Sequence, residues 1–499
     1  MTGAFVAMRN EQSVSPEAVP VAPFTDWREA IVSACGLHPG ERLAVLTGWP
    51  VEGRLRLLAV LANDREGQLR LAAAEAPAAY ASLTPDCPQA HWFEREIAEQ
   101  WGLRPEGHPW LKPIRFQPGR GGLGVERQIG RTDFFRVEGE EVHEVAVGPV
   151  HAGVIEPGHF RFQCHGERVL HLEISLGYQH RGVERAMNAR PGRRAIHYME
   201  TLAGDSTIAH ASAYCQAVEA AARVMAPPRG LAIRALALEL ERIANHIGDL
   251  GALAGDVGYL PTASFCGRIR GDALNATALV CGNRFGRGLV RPGGVAWDLD
   301  AARARELGRR VAAIERDAAG AVGLLWDSPS VMARFEGTGV VSRQTCEEVG
   351  LVGVAARACG VGRDARKDHP FGMYRYQHIP ACTWASGDVF ARAYVRWAEI
   401  ERSCHFIQQL LDELPGGAVR CEIPPPVPGR LAVGLVEGWR GEVCHVLVTG
   451  ADGEPAFYKV VDPSFHNWFG LACALKDQQI SDFPLCNKSF NLSYCGHDL

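Results

Sequence analysis

Fifteen cysteines are spread through the 499 residues, and no two of them stand three apart. A soft, redox-active metal needs several anionic donors, and a Cys-x-x-Cys pair supplies two of them from adjacent turns. No such pair occurs in the chain. Scattered thiols without a secretory pattern ahead of them read as reduced side chains that fill apolar space one at a time. Proton-handling groups are easier to find. The stretch GPVHAGVIEPGHF carries His151 and His159, two imidazoles able to donate or shuttle a proton near neutral pH. Glu239, Arg242 and His246 follow one another at steps of three and four, on one face of a helix. There they would lie in solvent, meet a partner subunit or pair with each other. The glycine run GRGGLG follows no clear strand and opens no clear helix, so it reads as a linker and not as a phosphate loop.

Around these residues the composition is that of an ordinary folded protein, with 47% hydrophobic and 22% charged residues. A net charge of −5 gives no basic stripe for nucleic acid, and the arginines of RGVERAMNARPGRR lack interleaved aromatics. No apolar run approaches the roughly 20 residues of a spanning helix. The first residues lack the basic start and apolar middle of a signal peptide, so a cytoplasmic location is expected.

Residues 1–22 have no periodicity and read as a flexible arm. In residues 23–117, TDWREAIVSACG and HWFEREIAEQWGL read as helices, and RLAVLTGWP, GRLRLLAVLAND and QLRLAAAEA as strands. Residues 118–142 read as a linker and lead-in, and 143–499 as the large remaining domain. HFRFQCHGERVLHLEI alternates on both sides of HGE and predicts a hairpin. In LAIRALALELERIANHIGDLGAL, Leu236, Leu240, Ile243, Ile247 and Leu250 form a helical stripe suited to a bundle. AARARELGRRVAAIERDAAGAVGLLW and GDVFARAYVRWAEIERSCHFIQQLLDEL would join it, before a second hairpin and a short helix near the end. The fold class is α+β, a small α/β domain followed by a central helix bundle with flanking β-hairpins.

GPVHAGVIEPGHFRF, LGYQHRGVE, AHASAYCQAVE, LELERIANHIGDLGALAGDVGY, EGWRGE and DPSFHNW occur in one order along residues 143–499. In that order they resemble the large subunit of membrane-bound, energy-converting [NiFe] hydrogenases and the related catalytic subunit of NADH:quinone oxidoreductase. HWFEREIAEQWGLRPEGHPWLKPIRF resembles the small soluble subunit that such complexes carry beside, or fused to, the large one.

The hydrogenases of this superfamily hold nickel and iron with two Cys-x-x-Cys pairs. Laying the early pair on METLAGDSTIAH puts its cysteines at Ala203 and Ser206; laying the terminal pair on NKSFNLSYCG puts them at Ser493 and Gly496. The resemblance therefore implies a relative without its nickel ligands, Cys495 lying one residue from a ligand position. For the quinone relative it implies a head-binding pair of a loop histidine, here His151 or His159, and a tyrosine whose position falls near Gly204. Glu156 matches a hydrogenase glutamate that moves protons; with Asp205 and His210 beside the lost ligands it would form a proton relay. Further implications are a [4Fe-4S] cluster on a small partner subunit, membrane-embedded antiporter-like partners and a peripheral position on the inner face of the cell membrane. Two other readings stay open, a non-catalytic scaffold of the same complex and an active hydrogenase with an atypical site.

Overall fold

The computed structural model describes residues 3–36, 41–120, 131–151 and 155–499. Its first sheet is five-stranded. Gln68–Glu75 pairs on one side with Arg54–Asn63, which pairs with Glu41–Val51. On its other side Val6–Met8 runs antiparallel and Val21–Ala22 parallel. The helices Phe24–Gly36 and His91–Trp101 pack against this sheet, burying Trp27, Ile31, Phe93 and Ile97.

The first 22 residues differ from the expected loose arm. Besides the two strands on the first sheet, Ser13–Val14 pairs with Leu431–Glu437 of a second sheet far along the chain. Asn10 fixes the crossing, donating to the carbonyls of His369 and Leu435 and accepting from the Leu435 amide. These segments are too short to show a period of their own; the strand edges they complete give them their conformation.

The second sheet orders Pro455–Val461, Glu442–Thr449, Leu431–Glu437 and Ser13–Val14. The alanine-rich helix Thr207–Ala222 lies on it, and Gly434 lets the strand approach the helix backbone at Ala213. A third sheet contains the predicted hairpin, His159–His165 with Arg168–Ser175, and adds Val142–Val147. Phe160, Phe162 and Cys164 point to the core as the alternation requires.

The bundle consists of Pro228–Asp256, Leu260–Cys281, Ala301–Trp326 and Val389–Asp412. The helix Leu260–Cys281 has no broad apolar stripe and is absent from the sequence reading. It docks through small residues: a β-carbon on Gly251 would lie 2.7 Å from the Cys266 side chain, so the two backbones sit close together. In Pro228–Asp256 the leucine stripe is buried as expected, and so is the opposite polar face. Glu239, Arg242 and His246 are all at 0% exposure, which overturns a solvated face. Arg242 binds Glu239 at 3.0 Å, His246 meets Glu399 at 2.8 Å, and Arg357 reaches Glu399 at 2.7 Å.

The two predicted domains share a buried charge cluster. Lys459 of the second sheet donates to Glu96 at 2.8 Å and to Glu184 at 2.7 Å. Arg115 bonds Glu96 and the carbonyls of His497 and Asp498. Of the linker between them, residues 121–130 lie outside the described residues. All fifteen cysteines are free thiols, twelve buried and three half-buried, in keeping with their reading as fillers.

Candidate functional site

Two chain segments converge under the helix Thr207–Ala222. Ala203 and Ser206 precede that helix in a tight turn; Ser493 and Gly496 belong to the tail after the helix Phe483–Phe490. Ala203, Ser206 and Ser493 are at most 4% exposed, and Cys495 Sγ lies 3.4 Å from the Leu202 carbonyl, so the two segments meet in the interior. A β-carbon on Gly496 would stand 2.5 Å from a carboxylate oxygen of Asp462, which takes up the room a ligand side chain would need.

Asp462 is held there by the local fold. It ends the strand Pro455–Val461 and caps the helix Pro463–Leu475, accepting from the Ser464 amide at 2.8 Å. Its other oxygen lies 3.0 Å from His210 Nε2. His210 Nδ1 is 3.0 Å from His445 Nε2, and His445 Nδ1 is 2.7 Å from the Tyr458 hydroxyl. One set of protons satisfies the whole chain with both imidazoles neutral: Tyr458 donates to His445, His445 to His210, and His210 to the Asp462 carboxylate. Burial, together with the neighbouring His210, pushes the His445 pKa well down and keeps it neutral. For Asp462, burial works to raise the pKa, but the His210 hydrogen bond and the Arg440 guanidinium outweigh it and hold it at about 2. The arrangement is a buried path along which a proton can be passed over three hydrogen bonds.

Asp205 serves another pair. Arg440 clasps both its oxygens, at 2.6 and 2.7 Å, and reaches Ser206 Oγ at 3.3 Å. The Trp439 ring lies 3.9 Å below the guanidinium carbon. Glu156 makes a third pair, accepting from the Cys495 thiol at 3.0 Å and from the Tyr494 amide at 3.2 Å. Glu156, Asp205 and His210 thus surround the same four positions, but each is bonded to a different partner and none to another of the three. Cys495 also points at the Leu202 carbonyl, and burial and Glu156 push its pKa up to about 12.

His151 and His159 brace their loop. His151 Nε2 lies 2.9 Å from the Gly158 carbonyl, and His159 Nδ1 3.2 Å from that of Gly148; residues 152–154 lie outside the described residues. No tyrosine stands at Gly204, but Tyr494 approaches the loop from the tail. Its ring lies where a β-carbon on Gly158 would be, at 2.5 Å, and Phe160 is 6.1 Å from Tyr494 and 6.2 Å from His151 between ring centroids.

Sequence reasoning passed over Asp462, His445, Tyr458 and Arg440. Asp462 did carry a signal, since an Asp before Pro at the end of an apolar strand is a helix N-cap. It passed over Glu241 as well. This buried carboxylate accepts the amides of Ile208 at 2.7 Å and Ala209 at 3.3 Å, directly behind Ser206. Burial and the Asp205 charge raise its pKa to about 8 against the pull of those amides.

A nickel–iron centre does not fit this set of residues. The ligand positions offer no thiolate, the one nearby thiol is held protonated, and an arginine–aspartate pair stands beside Ser206. Among the described residues, no group of three or more His, Cys, Asp and Glu side chains is placed to hold a metal ion.

Ala203 and Ser206 just ahead of the helix Thr207–Ala222, and Ser493 and Gly496 in the tail, are the positions that the resemblance to hydrogenase large subunits gives to metal ligands. Residues 256–428 match the respiratory-chain NADH dehydrogenase 49 Kd subunit family, and residues 21–122 the 30 Kd subunit family. The chain is 30% identical to formate hydrogenlyase subunit 5 of Escherichia coli over 83% of its length and 76% of that protein. It is 32% identical to the carbon monoxide-induced hydrogenase of Rhodospirillum rubrum over 70% of its length and 97% of that protein. With NADH-quinone oxidoreductase subunit 4 of Thermus thermophilus it shares 30% identity over 68% of its length and 90% of that protein. The chain belongs to this family of hydrogenase and NADH dehydrogenase large subunits, with a 30 Kd-type region fused ahead of the 49 Kd-type region and no Cys-x-x-Cys pair in its sequence.

Proposed function

We propose that the chain is the nickel-free large peripheral subunit of a membrane-associated, energy-converting redox complex. Electrons reach it from an adjacent [4Fe-4S] subunit, and its role is to couple their arrival to proton or ion movement, with a quinone as acceptor. The observation that carries this reading is Asp462, seated where a cysteine at position 496 would stand and joined to His210, His445 and Tyr458. In this reading the buried chain from Tyr458 to Asp462 moves protons at a site without metal ligands.

The membrane part of the proposal draws on a relative from Pyrococcus furiosus named as the alpha subunit of a membrane-bound hydrogenase, and the quinone part on the Thermus thermophilus NADH-quinone oxidoreductase relative. No helix among the described residues is long and apolar enough to cross a membrane. Attachment to the inner face of the cell membrane would therefore run through antiporter-like partner subunits. For the quinone, His151 and Tyr494 flank Phe160 and would take the two ends of the head group.

The test is the nickel and iron content of the complex purified with its native partners in mild detergent. Iron without nickel is the expected result. Stoichiometric nickel would overturn the reading and return hydrogen chemistry to consideration.

A scaffold role is the second reading, and the near-complete burial of Ala203, Ser206 and Ser493 favours it, because a closed interior admits no substrate. Turnover of the complex that falls with His151→Ala and Glu156→Gln supports the coupled subunit. Turnover indifferent to both supports the scaffold.

A further inference from the structure

On the side of the molecule where the N-terminal region meets the large domain, three separate segments enclose a cleft of about 1020 Å³. They are the turn Arg9–Gln12, the hairpin tip at residues 64–67, and the loop 361–375, with the helix Arg343–Val349 at one rim. The segments are fixed to one another. His369 Nε2 lies 3.0 Å from Asp64, Arg363 Nε lies 3.1 Å from the same carboxylate, and Asn10 donates to the His369 carbonyl.

Six cationic side chains line the cleft, Arg9, Arg65, Arg343, Arg363, Lys367 and Arg375, against four acidic ones, in a chain whose net charge is −5. Most of the acids are already engaged. Asp64 is taken by Arg42, Arg363 and His369, Asp368 by Lys367, and Glu347 by Arg343. Arg9 and Arg65 are exposed and have no ion-pair partner among the described residues.

Two buried atoms in the same wall are also unsatisfied: Arg363 Nη1 and His369 Nδ1 have no hydrogen-bond partner, and His369 is only 1% exposed. Leaving such groups without a partner is unfavourable, so a polar cleft that strands them is suited to a ligand that completes them. Guanidinium forks match the oxygens of phosphate, and a phosphate carries several acceptor oxygens and, when singly protonated, a donor for an imidazole nitrogen.

From this we infer that the cleft is a binding site for a multiply charged phosphate compound, with Arg9, Arg65, Arg363 and His369 as its contacts. This site is remote in sequence from the Ala203, Ser206, Ser493 and Gly496 positions and stands whether or not the redox proposal does.

The experiment is a calorimetric titration of the full-length chain with inorganic pyrophosphate and, separately, with ADP. Saturable one-to-one binding is expected, weakened about ten-fold or more in the Arg9→Gln/Arg65→Gln variant. Both residues are exposed, so the unliganded thermal midpoint should not move, and an unchanged midpoint shows that the loss is one of binding. ADP binding tighter than pyrophosphate assigns the site to nucleotides; equal affinity assigns it to simple phosphates. The inference is overturned if neither compound saturates, or if binding survives the double substitution and vanishes at about 0.3 M salt, as unspecific attraction would. It is overturned equally if a penta-glutamate peptide binds where both phosphates fail, which would make the cleft a dock for an acidic polypeptide.

Discussion

His210 Nε2 and the Asp462 carboxylate lie 3.0 Å apart, with side-chain exposures of 0% and 1%. Such a pair costs little while intact and much when halved, because the remaining group keeps its burial and loses its partner. His210→Phe should therefore destabilise the chain by about 3–5 kcal/mol, measured by chemical denaturation. The pH dependence has a definite sign. The folded pKa of Asp462, about 2, lies below its ordinary value of 3.8, so the stabilisation is complete above about pH 4 and is lost as the pH falls toward 2. Asp462→Asn should remove that acid limb. An unchanged limb in the variant would show that other carboxylates cause it.

Glu241 should act in the opposite direction. Its folded pKa of about 8 is above the ordinary 4.5, so between those values the folded chain keeps a proton that the unfolded chain has released. Stability then falls as pH rises, by about 1.4 kcal/mol per unit over that window. Glu241→Gln imitates the protonated form and still accepts the Ile208 and Ala209 amides. It should be more stable than the parent at pH 8, similar to it near pH 4.5, and flatter between. Denaturation curves across this range check the slope, and a parallel decline in the variant would remove Glu241 as its source.

Much of the architecture is legible in the sequence because each element announces itself locally. The hairpin about HGE, the leucine stripe of Pro228–Asp256 and the helix Ala301–Trp326 all follow from periodicity alone. Leu260–Cys281 does not, since a helix that docks through Gly251 and Cys266 needs close backbones and no apolar stripe. Polar side chains mislead for a related reason. Glu239, Arg242 and His246 look like a wet face until Glu399 and Arg366, more than a hundred residues away in sequence, arrive to pair with them. The site divides in the same way. The motif order locates the four ligand positions, but the partners of Glu156, Asp205 and His210 come from Cys495, Arg440 and Asp462, whose proximity only the fold supplies.

Reinstalling the lost ligands tests how far the site has been rebuilt. Ser493→Cys exchanges one small buried side chain for another and should cost about 1 kcal/mol or less. Gly496→Cys brings a β-carbon to 2.5 Å from Asp462 and should cost about 1–3 kcal/mol as an overpacked core. Serine is shorter than aspartate and also caps helices, so Asp462→Ser should relieve part of that cost while retaining a cap. A double-mutant cycle between positions 462 and 496 should show a favourable coupling. Additive losses would mean that the Asp462 carboxylate does not occupy the ligand space in solution.

Fusion of the two regions has an energetic consequence at Lys459. Its ammonium is 1% exposed and is shared by Glu96 of the N-terminal region and Glu184 of the large one. Burial alone would raise the Glu96 pKa, but Lys459, Arg115 and His497 together bring it well below the usual carboxylate range. Lys459→Met leaves both carboxylates facing each other without their common cation and should cost about 3–5 kcal/mol. Glu96→Gln should restore part of that loss when added to Lys459→Met, because it removes one of the two facing charges. The same reasoning applies to dissection. Residues 143–499 produced without the first 117 lose Glu96, the Arg115 contacts to the tail and the Ser13–Val14 strand, so they should be recovered as aggregate. Supplying residues 1–120 as a separate chain should rescue solubility. A large domain that folds and stays monomeric alone would show that the shared cluster, despite its burial, contributes nothing to the stability of that half.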